Sequence, residues 1–145
     1  MAKALTLKQL NFVMPDRPGL LSAIMAALTG AKVNITSICA YGIEGKAYFM
    51  LVTDSNAKAK KALAPLGAAF TTEHEGVFGV NMPNKPGELQ KVATIIADAG
   101  ININYMYGTT SSVKTSTCIF STSDDKKAIK AINREKKITC FPACF

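Results

Sequence analysis

The sequence has one histidine, His74, and nowhere does an apolar run approach 18 residues. The second absence argues against a membrane-spanning helix. The opening MAKALTLKQLNF also lacks the continuous apolar stretch and small-residue cleavage pattern of a secretory signal, which predicts a cytoplasmic protein. Cysteine is sparse, and reduced thiols are the expectation in that compartment. Cys39 and Cys118 fall inside strand-like runs, where a thiol packs as a small apolar residue. Cys140 and Cys144 form a C-x3-C pair with no second Cys or His pair to complete a tetrahedral site, so no metal and no cofactor is expected. Nucleophile and base are not paired anywhere, and no two carboxylates sit in matching surroundings, which argues against an enzyme.

What the sequence does hold is a repeat. The segment MPDRPGLLSAIMAALTGAKVNI, from Met14, returns without a gap as MPNKPGELQKVATIIADAGINI, from Met82, at an offset of 68. The same offset relates Lys46 to Lys114, which suggests that a whole unit is duplicated. The expected modules are residues 1–74 and 75–145. A unit of roughly 70 residues buries little more than about 60% of its unfolded surface, so the halves are expected to share an interface or pair with another copy. With EHEGVFG as the join they have almost no linker, and they are expected to move together.

Each half reads as strand, helix, two strands, helix, strand. In the first, LKQLNFV is a strand, and apolar residues at Leu20, Leu21, Ile24, Met25 and Leu28 follow with helical spacing. Pro18 suits the first helical turn and Gly30 the stop. VNITSICAY and KAYFMLVT read as a hairpin around GIEG. The next helix, capped by Asp54 or Ser55, turns Ala59, Leu63 and Leu66 inward, and AAFTTEHE closes the half. The second half offers GVFGVNM, a helix from Pro86 to Ala99 stopped by Gly100, the strands ININYMY and KTSTCIFS, a helix in DDKKAIKAINREK, and a last strand at Lys137–Phe141. The fold class predicted is α+β, two ferredoxin-like βαββαβ modules, each an antiparallel sheet with its helices on one face. Leu20, Leu21, Ile24, Leu28, Leu89, Val92 and Ile96 are the expected helix core.

The P-x-x-P-G opening after the first strand, the amphipathic helix behind it and the Asn-Ile pair that starts the second strand resemble the ACT domain. They occur twice in register, as Pro15, Pro18, Gly19, Asn34, Ile35 and as Pro83, Pro86, Gly87, Asn102, Ile103. The resemblance covers nearly the whole chain, with no room for an attached catalytic domain. It implies side-by-side modules, an amino-acid effector bound in the seam between them, and a non-enzymatic role in regulating a metabolic partner. An amino-acid-metabolism enzyme is one such partner, as for detached regulatory subunits of acetolactate synthase.

A free amino acid carries a carboxylate and an amine a short distance apart, so its receptor needs donors beside acceptors. The unpaired amides that open a helix, at Gly19, Leu20 and Leu21, are donors at the positive dipole end, and glycine leaves the approach clear. Asp16 or Asn84 supplies an acceptor for the amine, and Asn34 or Asn102 both a donor and an acceptor. The resemblance matches Asp16, Asn84, Asn34 and Asn102 to effector-holding positions, and Met14 and Met82 to a position that is His in some relatives. The ligand-binding candidates are therefore Met14, Asp16, Arg17, Gly19, Leu20, Leu21, Asn34 and Ile35, with Met82, Asn84, Gly87, Glu88, Leu89, Asn102 and Ile103. The same residues also suit plainer roles: Asp16 and Asn84 as helix caps, the prolines and glycines as turn formers, Met14 and Met82 as buried filler.

A net charge of +7 raises nucleic-acid binding as the rival reading. That mode needs aromatics displayed together on a sheet face, whereas Tyr48 and Phe49 are adjacent and point to opposite faces. The positions taken to match them, Ser116 and Thr117, are not aromatic, and much of the charge lies on helices at Lys58, Lys60, Lys61, Lys126, Lys127 and Lys130. A homodimer is expected, because Ile101, Ile103, Tyr105 and Tyr107 on one side of a strand and Met106 on the other give both faces material to bury.

Overall fold

The computed structural model describes residues 2–73, 75–110 and 112–143, and of Thr109 and residues 135–143 the backbone alone. His74 and Cys144 lie outside the described residues, as does the side chain of Cys140. The elements run in the order β1 (Lys3–Lys8), β2 (Leu10–Pro15), α1 (Leu20–Gly30), β3 (Ile35–Ile43), β4 (Lys46–Thr53), α2 (Asn56–Leu63), β5 (Ala69–Thr71), β6 (Gly76–Pro83), α3 (Glu88–Asp98), β7 (Ile103–Thr110), β8 (Thr115–Thr122) and α4 (Asp125–Ala143). They form two antiparallel sheets with four helices, as tandem ferredoxin-like modules require.

The chain divides into a first unit, Lys8–Glu75, and a second, Met1–Leu7 with Gly76–Phe145. In the first unit the strand order is β3-β4-β2-β5, and alternate residues of β2 and β4 supply the core. Phe12 lies opposite Phe49 in the ladder, and their rings stack at 4.9 Å. Ile24 and Leu28 of α1 and Ala59 and Leu63 of α2 close over them. Each such fully buried Leu, Ile or Phe contributes about 1.5–3 kcal/mol. Gln9 N–H donates to Glu75 O at 2.8 Å, so the chain enters and leaves this unit side by side.

In the second unit the order is β1-β6-β8-β7, and Phe78 stacks on Phe120 at 5.4 Å above Val92, Ile96 and Ile132. Strand β1 holds the place next to β6 that β5 holds next to β2. Strand β1, expected with the first module, thus completes the second sheet. Asn133 of α4 binds both backbone groups of buried Ala4, accepting from its N–H at 3.0 Å and donating to its carbonyl at 3.1 Å. Because that sheet edge is already filled, the strand expected at Lys137–Phe141 does not form and these residues continue α4.

Three local expectations also change. Gly19 and Gly87 adopt left-handed φ angles of 81° and 88°, so α1 and α3 begin after them, and Pro18 and Pro86 stand in the turn before. Both helices end in the same double bond: Val33 N–H reaches Leu28 O and Lys32 N–H reaches Thr29 O, as Ile101 reaches Ile96 and Gly100 reaches Ala97. The left-handed residue there is Gly100 (φ 72°) in the second unit but Lys32 (φ 56°), not Gly30, in the first. A register shift between Ile103 and Tyr105 puts Ile103 on the core side and leaves Tyr105 and Tyr107 on the opposite face with Ser121 and Ile119; β3 carries the same shift between Ile35 and Ser37.

The hairpins differ in length. Glu44 (φ 49°) and Gly45 (φ 80°) form a two-residue turn between paired Ile43 and Lys46. In the second unit Thr110 pairs with Ser116, which lengthens the loop, and Pro83 faces Thr115 where Pro15 faces Lys46. The repeat offset is therefore one greater beyond the hairpin, and Lys46 does not correspond to Lys114. The counterparts of Tyr48 and Phe49 are Thr117 and Cys118. Phe49 is core and Tyr48 stacks on Tyr41 on the other face.

Candidate functional site

The loop after β2 is held to the hairpin by Asp16 N–H, which donates to Gly45 O at 2.9 Å. From there the chain turns through Arg17 and Pro18 into Gly19, and α1 starts. Leu20 N–H is taken by Arg17 O at 3.2 Å, while helix geometry leaves the amides of Leu21 and Ser22 without an intrahelical acceptor. Beside them opens a cleft of about 280 Å³, lined by Asp16, Arg17, Gly19, Leu20, Leu21 and Ser22 on one side and Ala40, Tyr41, Gly42, Ala47 and Phe49 on the other.

Its floor is apolar, with Leu20, Ala47 and Phe49 all buried. Its rim is charged. The carboxylate of Asp16 lies against Gly42 so closely that a Cβ there would sit 2.8 Å from Oδ2. Arg17 Nη1 lies near Gly19, 3.9 Å from where a Cβ would be, and bonds Pro18 O at 3.4 Å. An anion above α1 meets free amides, the helix dipole and a guanidinium, and the first turn of α1 carries no acid. A cation meets Asp16, which among the described residues has no side-chain hydrogen bond or ion pair.

The equivalent loop of the second unit is differently committed. Asn84 N–H donates to Lys114 O at 2.9 Å, and its side-chain Nδ2 also donates to Val113 O at 3.3 Å. Thr110 stands where Gly42 stands. Glu88 occupies the first turn of α3, paired with Lys91 at 2.9 Å, so a negative charge is already present at that dipole end.

Of the residues expected to bind ligand, Asp16, Arg17, Gly19, Leu20 and Leu21 are brought together. Leu21 and Leu89, also expected in the core, are exposed at the helix starts, as is Leu66 beyond α2. Met14 and Met82 are buried and do not reach the loop surface. Asn34 and Ile35 lie at the other end of their sheet: Asn34 N–H donates to Asp54 Oδ1 and Asn34 O accepts from Asp54 N–H, and the eight residues of β4 separate that end from Asp16 by about 25 Å. Asn102 and Ile103 are placed likewise, Asn102 N–H donating to Ser123 Oγ at 3.0 Å. Ser22, Ala40, Tyr41, Gly42, Ala47 and Phe49 were absent from the expected set, although pairing the two strands of the predicted hairpin would have found the last five.

Burial pushes the thiols of Cys39 and Cys118 up, which favours the protonated form of both at neutral pH. Among the described residues no three His, Cys, Asp or Glu side chains gather as a metal site, and no helix is long and apolar enough to cross a membrane.

A sequence model of the ACT domain matches this chain over residues 8–70 and again over 76–136. The chain belongs to the ACT domain family. Its tandem ACT fold is similar to protein BT0572 from Bacteroides thetaiotaomicron, at 25% identity and a TM-score of 0.81, covering 92% of this chain and 90% of that one. In fold it is also similar to the ligand-free regulatory subunit of aspartate kinase from Thermus thermophilus, at 18% identity, a TM-score of 0.66 and coverage of 88% and 91%. The corresponding subunit from Thermus flavus gives 18% identity, a TM-score of 0.59 and coverage of 91% and 95%. No protein of curated function is significantly similar to this ACT chain in sequence.

Proposed function

We propose that this ACT protein is a non-enzymatic regulator that binds a free amino acid at the loop between β2 and α1 and transmits its presence to a metabolic partner. The observation that carries the reading is the uncommitted Asp16 carboxylate facing the same cleft as the open amides of α1 and Arg17. That pairing matches an amine and a carboxylate on one small molecule. The loop of the second unit, with Asn84 tied to Val113 and Glu88 at the helix start, is the weaker site. The protein acts in the cytoplasm as a homodimer, and its partner is an enzyme of amino-acid metabolism.

A thermal-shift screen against the twenty amino acids tests this directly. A ligand that binds only the folded chain stabilises it by RT ln(1 + [L]/Kd), about 2.7 kcal/mol at a hundredfold excess over Kd. At least one amino acid is expected to raise the melting temperature at millimolar concentration; no shift with any of them removes the proposal. A monomeric mass by light scattering at tens of micromolar removes the dimer.

A further inference from the structure

The cleft says more than that an amino acid is bound. Once Asp16 is assigned to the amine, and Arg17 with the amides of α1 to the carboxylate, no charged side chain remains among its lining residues. What remains is a floor of buried Leu20, Ala47 and Phe49, with Ala40 opposite Phe49 in the ladder, and at the edge exposed Ser22 and Tyr41, whose ring stacks on Tyr48 on the other face of the sheet. A ligand side chain carrying a charge would be desolvated there without a partner, and one carrying a hydroxyl or amide would give up bonds to water.

The entry to this floor is set by one residue. Gly42 pairs with Ala47 on the cleft side of the hairpin, and a Cβ on it would meet Asp16 Oδ2 at 2.8 Å. Its φ is not in the left-handed region, so the backbone itself tolerates other residues. What it cannot tolerate is a side chain and the Asp16 carboxylate in the same place. The second unit presents the alternative, with Thr110 at this position and its loop asparagine turned to a hairpin carbonyl.

We infer that the cleft selects an amino acid with an uncharged, apolar side chain, and that Gly42 is the positioning residue that keeps Asp16 at its rim. The inference rests on the amino-acid reading proposed above. It is tested by calorimetry on the full chain with valine, leucine, isoleucine and methionine against lysine, arginine, aspartate, glutamate, serine and asparagine. The tightest apolar ligand is expected to bind at least about tenfold more tightly than any of the other six.

Gly42→Thr should weaken that ligand about tenfold or more, because it displaces the carboxylate, whereas Thr110→Gly should leave Kd within about twofold. Gly42→Ala, which adds the Cβ alone, applies the same test if the threonine variant fails to fold. A charged or hydrogen-bonding amino acid that binds more tightly than the apolar four overturns the selectivity and leaves the amino-acid reading standing. Failure of all twenty removes both. Undiminished binding by folded Gly42→Thr or Gly42→Ala overturns the role of Gly42.

Discussion

The two P-x-x-P-G loops are close in sequence and opposite in commitment. The first presents a free carboxylate over a glycine, with no acid at the helix start; the second ties its asparagine to Val113 O and sets Glu88 against the α3 dipole. A duplicated motif reproduced the backbone turn twice, including both left-handed glycines, because that turn depends on residues within the motif. It did not reproduce the site, because within the motif Asn84 and Glu88 stand where Asp16 and Leu20 do, and because the hairpin opposite is one residue longer.

The largest effects are expected in the two cores. Phe12→Ala should cost about 3–5 kcal/mol by emptying the stack with Phe49, and Phe78→Ala a similar amount in the other unit. Denaturant unfolding with hydrogen exchange should localise each loss to its own unit; equal loss of protection throughout would show that the units unfold as one.

Next are the two bonds that tie β1 to α4 in the second unit. Asn133→Leu removes both bonds to buried Ala4 and should destabilise by about 2 kcal/mol, with amides of β1 and β6 exchanging faster and those of β2 and β4 unchanged. Uniform acceleration would contradict the assignment of β1 to the second unit.

Binding sharpens the contrast between the loops. Asp16→Asn should weaken the effector by about 1–2 kcal/mol, since it replaces a charge-assisted bond by a neutral one, and Asn84→Ala should matter less. Calorimetry giving the reverse order would make the second loop the principal site.

The smallest effect concerns the helix ends. Lys32→Gly should stabilise the first unit by about 0.5–1 kcal/mol by relieving the left-handed lysine, while Gly100→Ala should destabilise the second by about the same. Opposite signs in the two melting curves are the measurement.

What the sequence made legible is local. Helix periodicity, hairpin strands and the loop residues Asp16, Arg17 and Gly19 could all be read within a window of a few turns. Strand β1 was missed although Leu5 and Leu7 alternate in KALTLK, because its partner β6 lies beyond the whole first unit. The C-terminal strand was expected for the same reason, by symmetry with β5, and symmetry fails once the edge is occupied. Gly42 and Phe49 were left out as site residues because no motif in the loop names them and only the register of the predicted hairpin carries them to Asp16. Tyr105 and Tyr107 were placed on the same side as Ile103 because a bulge reverses alternation without any signal in the residues themselves.

The placement of β1 also sets an order in time. During synthesis β1 leaves the ribosome ahead of β2, yet its sheet neighbour β6 follows only after residues 9–75, several seconds later at about 5–20 residues per second. The first unit, whose ends meet at Gln9 and Glu75, has all its strands in hand by then. A nascent chain with residues 8–75 clear of the ribosome would therefore carry the first unit complete, preceded by a strand still waiting for its sheet.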